Sequence, residues 1–281
     1  MIRIITDTTS GLPLSLAAER GIPVLPQIII FGEESYRDDT EMDTARFLER
    51  LRSSPVLPTT AAPGPALFVP VFERLLAEGA QTIICLHPST DLSGTVRGAT
   101  VAAQDLPQAD IRVVDTRTVA GPLAELVLLA DRWAREGMDA DTIIARVHEM
   151  VARQRVYFVV DTLEFLRRGG RIGGAQALLG GVLQIKPILT LRDGRVEPFE
   201  QQRTHKRALA RLRELVWEEC PRSAEAHLCV MHADAEAEAR ALAEEFSAGF
   251  GLEEVPIYLL PPAVVTHAGP GVLAVSFFVA P

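Results

Sequence analysis

Short apolar runs alternate with amphipathic helical stretches through the first half of this chain, and that alternation limits its fold more than any other feature. Residues 2–6, 24–31, 82–86 and 111–114 read as buried strands. Residues 44–52, 67–77 and 93–103 read as helices between them. Val119, Leu123, Leu126, Val127, Ala130 and Trp133 mark a further helical stripe, which Ile143, Ile144, Val147 and Val151 repeat in the next helix. Strand–helix units of this kind need crossover connections and a parallel sheet.

The second half carries more strands. Residues 157–160, 184–191, 195–199, 226–231, 255–259 and 271–279 have strand character, with Arg192-Asp193-Gly194 as a hairpin turn. Residues 206–219 and 235–250 are helical. The pattern predicts a two-domain α/β protein. Residues 1–153 form a Rossmann-like parallel-sheet domain, and residues 154–281 form a two-layer domain with a mixed sheet. No low-complexity linker separates them, so the halves are expected to pack closely.

The formal net charge of −9 repels phosphate backbones, which argues against nucleic acid as a partner. Cys85, Cys220 and Cys229 are too few for a disulfide framework and suit a reducing cytoplasm. The first residues lack a basic stretch followed by an apolar one, and no apolar run reaches 18 residues, so a cytoplasmic location is expected.

In open parallel sheets, ligands sit beyond the carboxyl ends of the strands. Four polar segments fall at such places. Asp7 is either a site acid or the cap of a turn in Asp7-Thr8-Thr9-Ser10. Thr60 stands in a proline-bounded loop, residues 58–63. Ser93, Gly94 and Thr95 open a helix, where free backbone N–H groups and hydroxyls suit either a simple cap or a carboxylate. His267 lies in a loop with glycine and proline, as a ligand-binding or merely exposed histidine. A fifth segment, 161–174, is rich in glycine and arginine. It lacks the Lys-Ser/Thr of a phosphate loop, and Arg171 within it suits an anion, a partner protein or a solvated turn.

Together these residues resemble the DegV family. The similarity runs from Ile2 to Phe278 and is densest from Phe158 through Arg167-Arg168-Gly169-Gly170-Arg171-Ile172-Gly173 to Ile185-Lys186-Pro187-Ile188-Leu189. The resemblance implies a long-chain fatty acid held in the cleft between the domains, with no other cofactor and no metal. It implies a subunit without catalysis of its own, which presents the acid to an ATP-binding fatty acid kinase partner that makes an acyl phosphate for phospholipid synthesis. Transient membrane contact is compatible with that role. Thr60, Ser93 and His267 match the family's carboxylate ligands. Arg171 matches an arginine near the head group, with Gly94, Thr95 and Asp7 in support.

One block departs from the family pattern. Thr60-Ala61-Ala62-Pro63 replaces the usual Thr-Ser-Gln-Pro, removing a hydroxyl and an amide beside Thr60. Leu178, Leu179, Val182 and Leu183 are candidate walls for the acyl tail. Two other readings compete: a carrier of another small lipid or carbonyl compound, and a serine acyl hydrolase using Ser93 and His267.

Overall fold

Near-continuous apolar strands pair in parallel and are covered on both faces, and the first half of the chain follows that rule. The computed structural model describes residues 1–179 and 185–280. The elements up to Arg153 are β1 (Ile2–Asp7), α1 (Leu14–Arg20), β2 (Val24–Leu25), β3 (Ile28–Phe31), β4 (Glu34–Arg37), α2 (Thr44–Ser53), β5 (Thr59–Ala61), α3 (Pro65–Ala77), β6 (Thr82–His87), α4 (Thr95–Gln104), β7 (Asp110–Asp115), α5 (Gly121–Arg135) and α6 (Ala140–Arg153). Strands β2-β1-β6-β7 make a parallel sheet in that order.

The remaining elements are β8 (Gln154–Val159), α7 (Glu164–Arg168), β9 (Lys186–Arg192), β10 (Arg195–Gln202), α8 (His205–Glu219), β11 (Cys229–Ala233), α9 (Glu236–Phe250), β12 (Ile257–Leu259), α10 (Pro262–Ala268) and β13 (Val272–Phe278). They form one mixed sheet, ordered β10-β9-β8-β13-β11-β12. Among the described residues, only β11 and β12 pair in parallel there. Asp193 and Gly194 both take positive φ, the two-residue hairpin geometry that an Asp-Gly pair favours.

Two expectations need correction. The run 24–31 is not one strand: β2 belongs to the parallel sheet, while β3 joins β4 and β5 in a small antiparallel sheet. The break falls at Pro26-Gln27. Proline has no N–H to give a ladder, and Asp38 binds both backbone groups of Gln27. The Gln27 N–H donates to the Asp38 carboxylate at 2.8 Å, and the Asp38 N–H donates to the Gln27 carbonyl at 3.1 Å. Half of the loop expected at 58–63 is β5, whose Thr60 pairs with Ile29.

The layers stack as helices, sheet, helices, sheet, helices. Phe68 and Phe72 of α3 and Ala99 of α4 cover one face of the parallel sheet. Leu212 of α8 and Phe246 of α9 cover the outer face of the mixed sheet. Between the sheets lie α5 and α6, where Leu126, Val127 and Ile143 share one core with Ile84 and Leu86 on one side and Phe158 and Ala274 on the other. Eleven of the 15 residues of α5 are buried.

Gly121 sets how closely α5 approaches the mixed sheet. Its N–H donates to the Met231 sulfur at 3.2 Å, and a Cβ there would stand 2.6 Å from the Cys229 sulfur. Gly121→Ala should therefore destabilise the protein by about 1–3 kcal/mol despite alanine's better helix propensity. Denaturant unfolding measures this, and an unchanged midpoint would show that the two layers can part freely.

Candidate functional site

The face of the mixed sheet that meets α5 is apolar, yet it does not pack completely. A cavity opens between that face, the start of α5, and α10. Met231, Ala274 and Phe158 line it as consecutive partners across β11, β13 and β8, and Leu191 and Val196 line it as partners across β9 and β10. Five strands at sheet spacing span about 19 Å, room for an extended long-chain tail. Val119, Ala120, Ala263 and Val264 close the opposite wall. Ala120 holds φ 62° and ψ −139°, a strained conformation for a residue with a Cβ, and its N–H is tied to the Thr9 carbonyl at 2.8 Å.

Six polar side chains break this apolar lining: Thr9, Gln27, Thr60, Ser93, Arg171 and His267. Four of them, Thr60, Ser93, Arg171 and His267, are sequence candidates drawn together from β5, the β6–α4 turn, the glycine-rich turn and α10. Asp7, Gly94 and Thr95 lie behind the lining. His267 sits in the last turn of α10, where a loop was expected. This helix starts at Pro262 and is only seven residues long, too short for a periodic signal.

Ser93 does not cap α4. Gly94 holds the cap position without a side-chain bond, and the Ser93 hydroxyl pairs with Thr95 Oγ1 at 2.8 Å while accepting from the Thr95 N–H at 3.3 Å. A Cβ on Gly94 would meet only Ala62 of the protein, at an ordinary 3.6 Å.

His267 Nε2 lies 2.8 Å from Thr60 Oγ1, and its Nδ1 is buried without a partner. That nitrogen faces Gly169, where any Cβ would stand 2.1 Å away. An orphaned N–H is rarer than an orphaned lone pair, so the proton belongs on Nε2 and is donated to Thr60. The Thr60 hydroxyl then has its own proton to give into the cavity. Burial, with the Arg171 charge adding to it, pulls His267 down to about 4 and keeps it neutral near pH 7. Arg171 is the cationic side chain of the lining. Its guanidinium donates to the carbonyls of Leu92 at 2.9 Å and Gly169 at 2.6 Å, and among the described residues it has no carboxylate partner. Burial lowers its pKa.

Asp7 proves to be a buried hub. Its Oδ1 accepts from the Thr9 N–H and hydroxyl and from Gln27 Nε2, and its Oδ2 pairs with His87 Nδ1 at 2.8 Å. Asp38 lies beneath, accepting from the Thr8 hydroxyl at 2.7 Å, and burial pushes its carboxyl up to about 7. Sequence reading missed Gln27, whose one visible signal is an amide inside the apolar run 24–31.

Leu178 packs against the shared core and Leu179 is exposed, and neither lines the cavity. Val182 and Leu183 lie outside the described residues. Ser93 bonds to Thr95 and His267 to Thr60, so the serine–histidine contact of a hydrolase is not formed between them. Among the described residues, no group of three or more His, Cys, Asp or Glu is placed to hold a metal, and no helix is long and apolar enough to cross a membrane.

Comparisons with known proteins agree with one another. The family profile for DegV, "Uncharacterised protein, DegV family", matches residues 1–280. A DegV domain-containing protein of Halalkalibacterium halodurans is 37% identical over 278 residues, covering 99% of this chain and 98% of its own. A DegV family protein of Thermus thermophilus, solved in a study of its fatty acid binding, superposes with a TM-score of 0.89 at 33% identity, covering 99% of each chain. DegV of Bacillus subtilis, described as a fatty acid binding protein, gives 0.87 at 32% identity, again covering 99% of each. By sequence and by fold over its whole length, this chain belongs to the DegV family.

Proposed function

We propose that this protein binds one long-chain fatty acid in the cleft between residues 1–153 and 154–281 and presents its carboxylate, in the cytoplasm, to an ATP-dependent kinase partner for acyl-phosphate formation. The carrying observation is the cavity itself, an apolar space lined by five strands of the mixed sheet, whose polar groups include the Thr60 and Ser93 hydroxyls and one arginine without an anionic partner among the described residues. A carboxylate buried without donors is costly. Here the Thr60 and Ser93 hydroxyls and the Arg171 guanidinium supply charge-assisted bonds. His267 acts through Thr60. The tail supplies the affinity, since about fourteen buried carbons contribute on the order of 10 kcal/mol before ordering costs. The fatty acid binding of the Thermus and Bacillus relatives supports the same ligand class.

The first test is denaturing extraction of the purified protein and mass spectrometry of the released lipid. Near-stoichiometric long-chain fatty acid is expected, and a protein that is empty and takes up none would overturn the reading. Arg171→Met should weaken fatty acid binding by roughly 10- to 100-fold, the usual loss for a hydrogen bond to a charged group. Fatty alcohol binding should hardly change, and an Arg171→Met variant that binds the acid as tightly as the wild type would remove the arginine from the head-group site. The kinase step is tested by adding ATP and a fatty acid kinase subunit to the loaded protein, with acyl phosphate as the expected product.

A further inference from the structure

The structure assigns Gln27 as a positioning residue that turns the Ser93 hydroxyl into a fixed donor toward the cavity. This inference rests on the fatty-carboxylate reading above. Gln27 is clamped in place, since its backbone N–H and carbonyl both bond to Asp38. Its side-chain NH₂ stands 2.9 Å from Asp7 Oδ1 and 2.9 Å from Thr95 Oγ1. Asp7 is fully buried and receives three further donors, from the Thr9 N–H, the Thr9 hydroxyl and His87 Nδ1. A carboxylate so surrounded accepts, which fixes the Gln27 amide with its NH₂ toward Asp7.

Thr95 is fully buried, and among the described residues Ser93 Oγ is the one acceptor for its hydroxyl proton, so the direction of the later bonds follows. The second Gln27 N–H donates to the Thr95 hydroxyl, so Thr95 Oγ1 accepts there and has one proton to give. Ser93 Oγ lies 2.8 Å away and receives it, together with the Thr95 N–H at 3.3 Å. Ser93 thus accepts twice, and its own proton is left for the cavity that it lines. The Gln27 amide occupies the side of Thr95 Oγ1 to which its proton would otherwise turn. Without it that proton can swing away, the Thr95–Ser93 pair can reverse, and Ser93 then offers lone pairs to a carboxylate. The buried chain from Asp7 through Gln27 and Thr95 to Ser93 therefore selects an acceptor head group over a donor one.

The test compares hexadecanoic acid with hexadecanol, whose hydroxyl both donates and accepts, by calorimetry on delipidated full-length protein. Gln27→Met keeps length and removes the donor. It should weaken hexadecanoic acid about tenfold, the usual scale for one hydrogen bond to a charged group. Hexadecanol should change less than about twofold, since its hydroxyl can accept or donate as the serine requires. The variant should add nothing in a Ser93→Ala background. Equal losses for both ligands, or full additivity with Ser93→Ala, would mark Gln27 as merely structural and overturn the proposal. If Gln27→Met does not fold, Thr95→Val interrupts the same chain and must give the same pattern. Loss of acid affinity in Ser93→Ala but not in Gln27→Met would overturn the positioning role alone. Unchanged acid affinity in Ser93→Ala would take Ser93 out of the head-group site and overturn the positioning role with it, whereas a protein that takes up no fatty acid would overturn the carboxylate reading itself.

Discussion

Ala274→Phe should empty the protein of lipid while leaving it folded. Ala274 sits midway across the mixed sheet, between its partners Met231 and Phe158, and faces the cavity. A benzyl group there enters free space instead of packed core, so the fold tolerates it better than a core residue would tolerate the same enlargement. If the ring displaces about five methylenes of the tail, affinity falls by about 4 kcal/mol, roughly a thousandfold. Extraction and mass spectrometry would show little fatty acid, while circular dichroism stays native. Undiminished lipid in a folded variant would mean that the tail runs elsewhere.

The second large effect is hidden in the wild type. His267 is held at about 4 against an ordinary 6.5, so between those values the unfolded chain binds more protons. That stability is fully present above pH 6.5 and lost as the pH falls toward 4. Asp38 is held at about 7 against an ordinary 3.8, so there the folded chain binds more protons. That stability is fully present below pH 3.8 and lost as the pH rises toward 7. Each contribution is on the order of 3 kcal/mol, and the windows overlap with opposite slopes. The two cancel between about pH 4 and 6.5. Asp38→Asn should leave stability rising with pH, and His267→Gln should leave it falling. Denaturant midpoints at about pH 4.5 and 6.5 decide this, since other titrating groups are common to all three proteins. Parallel pH profiles for the two variants would refute the compensation.

The sequence showed the sheets and long helices because their apolar periods of two and 3.6 are strong local signals. It singled out Thr60, Ser93, Arg171 and His267, which line one cavity, through chemistry placed at strand ends and through family resemblance. What it hid depends on distant contacts. The run 24–31 is interrupted only at Pro26-Gln27, and Asp38, eleven residues beyond Gln27, holds the chain where it changes sheets. The seven-residue α10 is β-branched at Val264, Val265 and Thr266, so neither propensity nor periodicity marks it as a helix. The Asp7–Gln27–Thr95 chain joins residues up to 68 positions apart, and no local pattern encodes such a pairing.

The buried α5 layer also bears on how a ligand gets in and out. Many two-domain carriers open like jaws, because each lobe keeps a core of its own. Here the two sheets share one interior through α5, and parting them would expose a helix with most of its residues buried. Opening on that scale amounts to partial unfolding, so a ligand of this cavity is exchanged at the rim. On the proposed function, the turns bearing Ser93 and Arg171 and the short helix bearing His267 would be both the grip on the head group and the door.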